Sequence, residues 1–213
     1  MRTGQPSAWL AEVNRGARER NISETSKTRR GTVTGAMWKR AIVLVSALLF
    51  VGCSSSGQTG TVRTEDRPLP ELSGEGLHGE HLSSTDAHGH VLVVSVWATW
   101  CYDCERDQPG FADVATRYAA HGVRFLGLNP METSTAQPLE WVRRYRVPYP
   151  SIEDPSGRYA ASLGYTGLPA TYIVDRQGTI RYSVIGGTTS EPTLSRLIDQ
   201  VLHPAASDTP SPA

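Results

Sequence analysis

Val91-Leu-Val-Val-Ser-Val-Trp-Ala-Thr-Trp-Cys-Tyr-Asp-Cys104 is the stretch on which the reading of this chain turns. Residues 91 to 97 form an apolar run with no room for a helix, so they read as a buried strand. The run leads into a tight Trp100-Cys101-x-x-Cys104 step, and the following segment can carry a helix from about 104 to 120. A buried strand that delivers two cysteines to a helix start is the arrangement that chemistry between thiols and disulfides needs. The helix start offers unpaired backbone N–H groups and the positive end of the dipole, and both favour a thiolate at Cys101. The two-residue spacer sets Cys104 about one turn further on, close enough to reach back and close a ring. A Cys-x-x-Cys pair is also half of a tetrahedral zinc site, but such a site needs about two more ligands.

Upstream, the chain carries something to remove. Residues 1 to 36 are rich in Arg, Ser, Thr and Gly and lack apolar periodicity. They are expected to be either disordered or an overextended gene start. Met37-Trp-Lys-Arg then opens a positive n-region, Ala41 to Gly52 is an uncharged apolar block, and Cys53 follows. Twelve residues make only about 18 Å of helix, too short for a comfortable span. Gly52 directly before Cys53 resembles a bacterial lipoprotein signal, which implies lipidation of Cys53 as the mature N-terminus. Phe50 departs from that pattern, where Leu is usual, and an uncleaved signal anchor is the alternative. Arg29-Arg30 is not followed at once by an apolar block, so it does not read as a twin-arginine signal. Since Met37 opens a complete signal, translation is expected to start there. Either anchor places the remainder on the extracytoplasmic face of a bacterial cell membrane.

Charge supports the division. Residues 1 to 53 carry nine basic and three acidic side chains, whereas residues 54 to 213 carry twelve Arg and eighteen acids, a formal net of −6. A mildly acidic exported domain has no electrostatic reason to bind nucleic acid. The expected organisation is a flexible tether from Cys53 to about residue 70, one domain over 71 to 203, and a disordered tail from 204 to 213. The three cysteines sort into one processing site and one close pair, unlike a structural disulfide framework. His88 and His90 lie near one another without a further ligand cluster, so no metal is expected.

Within the domain, a short hairpin is expected around Leu77 to Leu82 and a turn over Asp86 to Gly89. Phe111, Val114, Ala115 and Tyr118 recur at helical intervals after the cysteines, while Pro109 interrupts the helix and is expected to kink it. Gly122 closes that helix and Val123 to Leu128 is the next strand, which implies a right-handed parallel crossover. Residues 130 to 165 read as a helical excursion. Leu139, Val142 and Tyr145 mark one helix there between Pro138 and Pro148, Tyr149 to Ile152 an extended piece, and Gly157 to Leu163 another helix. Pro169 feeds a buried strand ending at Asp175, Arg176-Gln-Gly178 is a hairpin turn, and Thr179 to Ile185 returns. Ser190 caps the last helix, with Pro192 in its first turn and Leu194, Leu197, Ile198 and Val201 facing the core. Parallel strands, a returning hairpin and helices on both faces make a three-layer α/β domain.

Trp97-Ala-Thr-Trp-Cys-x-x-Cys104, Asp107, Pro109, the excursion and Gly167-x-Pro-Ala-Thr-Tyr-Ile-Val-Asp175-x-x-Gly178 resemble the thioredoxin superfamily. Over about residues 68 to 203 the likeness is greatest to membrane-tethered thiol–disulfide oxidoreductases of the TlpA and ResA type. The resemblance implies a thioredoxin-like α/β/α sandwich with a helical insertion, no cofactor, and a cis Leu168–Pro169 bond beside the cysteines that helps hold an extended substrate. It implies that Cys101 is the nucleophile, that Cys104 resolves the mixed disulfide, and that Asp107 handles protons near the pair. Trp97 and Trp100 are expected to shield the site, and Asp107 has a plain solvated helix acid as its competing reading. Implied partners are exported proteins with dithiols or disulfides, a membrane thiol-relay electron donor, and the haem-binding segment of apocytochrome c. A monomer is expected.

The spacer departs from the family. Tyr102 and Asp103 stand where proline is common, and Glu105 stands where a basic residue is common. Asp103, Glu105 and Asp107 crowd negative charge near the cysteines and oppose thiolate formation, which points to a reductant. A disulfide-forming oxidase using the same residues in reverse remains open, as does a tethered binding protein with a vestigial pair. A thiol peroxidase would use Thr-x-x-Cys, and Ala98 occupies the threonine position. A copper-delivery domain would prefer wider cysteine spacing and a nearby histidine.

Overall fold

A computed structural model describes residues 59–204. The expected N-terminal extension, signal, Cys53 and most of the tail lie outside the described residues. Eight strands and four α-helices follow in chain order: β1 Thr61–Pro68, β2 Ser73–Glu75, β3 His81–Ser83, β4 Leu92–Val96, α1 Tyr102–Ala119, β5 Arg124–Pro130, α2 Ala136–Arg144, β6 Ser151–Asp154, α3 Arg158–Ser162, β7 Ala170–Val174, β8 Thr179–Ile185 and α4 Glu191–Leu202. A 3-10 turn, Ser84–Ala87, precedes β4.

Six strands make one sheet in the order β1-β8-β7-β4-β5-β6, and β2 pairs with β3 in a separate hairpin. β4 and β5 run parallel with Leu92 opposite Arg124 and Val96 opposite Leu128, while β7 runs antiparallel to β4 with Ala170 opposite Val96. The mixed sheet is buried on both faces, which is why β4 is apolar almost throughout rather than alternating. Val91 and Val93 face α1 and α4, where Phe111, Val114, Leu194, Leu197 and Ile198 form one core. Leu92, Val94 and Val96 face the opposite layer, made by α3 and the β2–β3 hairpin with Leu72, Leu82, Ala160 and Leu163. Fully buried residues of this kind each contribute about 1.5–3 kcal/mol from apolar burial. These are the three layers expected from the sequence.

Local chemistry explains the helix bounds. α4 starts at Ser190, whose Oγ accepts the Thr193 N–H at 3.4 Å, with a proline in the first turn where a missing N–H costs little. α1 runs unbroken through Pro109, where the sequence suggests an interruption. α2 buries Pro138 and Trp141 most completely, with Leu139, Val142 and Tyr145 only packed around them.

One expectation needs correction. Residues 61–68 do not belong to a free tether: they form β1, antiparallel to β8 from Thr61 opposite Ile185 to Pro68 opposite Thr179. An edge strand pairs on one side only, so it can be polar and carries no apolar alternation to read. Its inward contacts are instead polar, with Glu65 accepting from Ser183 Oγ and Arg67 donating to the Leu163 carbonyl at 2.8 Å. A chain starting at residue 71 is expected to lose at least about 2 kcal/mol relative to one starting at 59, a drop in Tm of about 4–8 °C, measurable by thermal circular dichroism.

Candidate active site

The site forms where β4 ends. Beyond Val96 the parallel ladder continues for one more bond, Trp97 N–H to the Leu128 carbonyl at 3.0 Å. Side chains of the neighbouring segment then take over from the backbone. Asn129 Nδ2 donates to the Trp97 carbonyl at 3.0 Å, and the Glu132 carboxylate accepts from Thr99 N–H at 2.6 Å and Thr99 Oγ1 at 3.0 Å. Held in this way, the loop delivers Cys101 to the N-cap of α1, where its Sγ accepts the Cys104 N–H at 3.1 Å.

Cys101 and Cys104 are joined in a disulfide with Cα atoms 5.2 Å apart. Both are mostly covered, 7% and 3% exposed, but Trp100 and Tyr102 beside Cys101 are 56% and 75% exposed. Behind the disulfide, Trp97 stacks on Trp141 from the insertion at 4.1 Å, and Leu77 and Ala98 complete an apolar floor. Leu168 packs against this cluster, and the Leu168–Pro169 peptide is cis, the isomer that the resemblance implies. Residues some 65 positions apart in sequence thus meet at one mouth.

Polar groups line the first turns of α1. Asp103 pairs with Arg106 at 2.9 Å, and Tyr145 of the insertion donates its hydroxyl hydrogen to Glu105. Gln108, buried one turn beyond Cys104, bonds Tyr149 at 3.3 Å, and burial pushes the Tyr149 phenol up to about 12. Asp107 is half-buried and accepts the Thr189 N–H at 2.6 Å from the β8–α4 connection. Burial raises its carboxyl above the ordinary value despite the lowering by that hydrogen bond and by Arg106, and Asp103 adds to the rise. Among the described residues no group of three or more His, Cys, Asp or Glu side chains could hold a metal ion.

Residues 66–183 match the AhpC/TSA family. The chain belongs to that family. It is 32% identical over 157 residues to the thiol:disulfide interchange protein DsbE of Allochromatium vinosum, covering 70% of this chain and 84% of that one. It is 24% identical to the thiol-disulfide oxidoreductase ResA of Bacillus thuringiensis subsp. konkukian, over 73% and 94% of the two chains. A DsbF homologue from Corynebacterium diphtheriae superposes with a TM-score of 0.60 at 27% identity, covering 69% of this chain and 96% of that structure. With its Cys101–Cys104 pair at the helix mouth, this AhpC/TSA-family chain is a thiol–disulfide oxidoreductase of thioredoxin-like fold.

Of the residues singled out in this family member from sequence, Cys101, Cys104, Trp97 and Leu168 share one cluster, and Trp100 flanks it. Asp107 is tied to Thr189 rather than simply solvated. Asn129, Glu132, Gln108, Trp141 and Tyr149 escape sequence reasoning. A polar Asn129 at the end of an apolar strand is the one signal that could have been followed. Asp107 also sets a pH dependence. Its carboxyl pKa is raised in the folded state, so the native chain holds that proton more tightly than the unfolded chain does. The stabilisation is present below about pH 3.8 and is lost as pH rises through the higher folded value. Asp107→Asn is expected to remove that slope and to leave stability at pH 7 equal or higher, as read from urea unfolding across pH 3 to 7.

Proposed function

We propose that this oxidoreductase works as a reductant of disulfides in exported proteins, held at the outer face of the cytoplasmic membrane through Cys53 or an uncleaved signal. The observation that carries the direction is the charge around the mouth. Asp103, Glu105, Asp107 and Glu132 all lie on segments that carry or touch the cysteine loop, and only Arg106 on that stretch offsets them. Like charge disfavours a thiolate, so the reduced state lacks the stabilisation that makes DsbA, whose reduced form is stabilised, a strong oxidant.

The reaction balances as follows. The Cys101 thiolate attacks one sulfur of a client disulfide, and the other client sulfur leaves as a thiolate. Cys104 then attacks Cys101 Sγ, the client departs as a dithiol, and the enzyme is left with the Cys101–Cys104 disulfide. Two electrons and two protons must be resupplied by a dithiol donor, and a membrane thiol relay fits an exported enzyme. Exposed Trp100 and Tyr102 give an extended client apolar contact beside Cys101, and Leu168, packed against the cysteine cluster and followed by cis Pro169, adds to it. Asp107, one helical turn after Cys104, would exchange its proton in this reading, which its spacing on α1 supports. The Cys-x-x-Cys-His segment of apocytochrome c is the client that the family likeness favours.

Redox equilibration against glutathione is expected to give a potential nearer that of thioredoxin, about −270 mV, than that of DsbA, about −120 mV. A value above about −180 mV overturns the reductant direction. Cys101→Ser is expected to abolish insulin reduction, a loss of at least about a thousandfold, while Cys104→Ser accumulates mixed disulfides that mass spectrometry can identify.

A further inference from the structure

The segment from Trp97 to Cys101 is held from one side by a single stretch of chain, β5 and the loop after it. Backbone pairing ends with the bond between Trp97 N–H and the Leu128 carbonyl. Asn129 then holds the Trp97 carbonyl, and Glu132 holds Thr99 by both of its donors. Such a two-point contact to a carboxylate is short, directional and stronger than a neutral hydrogen bond. The chain also turns abruptly to make it. Met131, the residue before Glu132, has a φ of 57°, a left-handed conformation that side chains other than glycine rarely adopt, and its N–H donates to the Asp154 carbonyl at 3.0 Å. A strained residue next to a side chain aimed at the redox loop is the kind of outlier from which function is inferred.

We infer that Glu132 is a positioning residue for the Cys101 thiol: its carboxylate clamps Thr99, fixes the loop that sets Cys101 at the helix mouth, and adds a negative charge there. The inference rests on the reading of Cys101 as the attacking sulfur. Two effects follow from the one carboxylate, and they separate by substitution. The clamp is geometric and governs how well Sγ is presented to an incoming disulfide. The charge is electrostatic: two residues of chain span at most about 7 Å, so the carboxylate lies within roughly a Debye length of Cys101. The other groups near that mouth are Asp103, Glu105, Arg106 and Asp107 on α1, and Tyr145 with its hydrogen-bonded neighbour Arg144 at the α2 end; among the described residues none of them hydrogen-bonds the Thr99 loop. Glutamine at 132 keeps an acceptor for the Thr99 N–H and loses the charge. Alanine loses both.

The test uses the full chain carrying Cys104→Ser, reduced, with iodoacetamide alkylation of Cys101 followed across pH. Glu132→Gln is expected to lower the midpoint of the pH profile by about half a unit and keep the plateau rate within about twofold. Glu132→Ala is expected to lower the plateau rate towards an unrelated disulfide, dithionitrobenzoate, by about tenfold, with Thr99→Val showing a smaller loss that does not add to it. With both cysteines present, Glu132→Gln is expected to shift the potential in the oxidising direction. An unchanged midpoint and potential in Glu132→Gln overturns the inference, whether or not Glu132→Ala folds. A wild type that fails to reduce insulin, while Glu132→Gln still moves the midpoint, overturns the reductant reading and leaves this role of Glu132 standing.

Discussion

Everything at the mouth depends on where one strand stops. β4 is the central strand of the sheet, flanked by β5 in parallel and β7 antiparallel, and its last paired residue, Val96, lies five positions before Cys101. Burial on both faces leaves that strand no freedom to slip, because a shift of one residue would turn Val93 and Val94 to the wrong layers. The register of β4 therefore fixes the start of α1 in space. The antiparallel neighbour has the complementary effect: Ala170 pairs with Val96, so the cis bond just before it arrives at the same height. Two sulfurs, a helix end and a distant cis proline are thus brought to one end of the sheet by strand pairing.

The helix end and the acids pull in opposite directions. Cys101 caps α1, and its Sγ receives an N–H from the first turn, which on its own would stabilise negative charge on that sulfur. Asp103 and Glu105 occupy the same turn and strengthen the helix start while opposing charge on the thiol. Arg106, on the next turn of α1, is already engaged with Asp103. One short helical turn thus serves stability and redox tuning with the same residues. The family likeness identifies the chemistry, and this local balance of charge belongs to the chain's own first helical turn.

Much of this was legible in the sequence because it is local. The cysteine pair, the strand before it, the turn at Arg176-Gln-Gly178 and the Ser190 cap are each written within a few residues, and the structure has them where expected. β1 was not legible, since a strand whose inner contacts are a carboxylate and a guanidinium looks like a solvated linker. Neither was Glu132, whose partner lies 33 residues away, because nothing about one acid in a polar loop announces a bond across the sheet. In the insertion, apolar spacing pointed to the face of Leu139, Val142 and Tyr145. The deeper contact belongs to Trp141, which stacks on Trp97 at the end of β4, 44 residues away in sequence. Pattern reports what one element does with itself; the residues missed here are those whose role is to join two elements.

The edge strand has a geometric corollary. Thr61 pairs with Ile185, Ile185 with Ala170, and Ala170 with Val96, so the chain enters the domain at the same pole of the sheet as the disulfide. Thr59 even bridges to Thr188, the neighbour of the residue that holds Asp107. Whatever precedes Thr59 therefore joins the domain beside the redox pair. The opposite pole of the sheet ends in the Arg176-Gln-Gly178 turn.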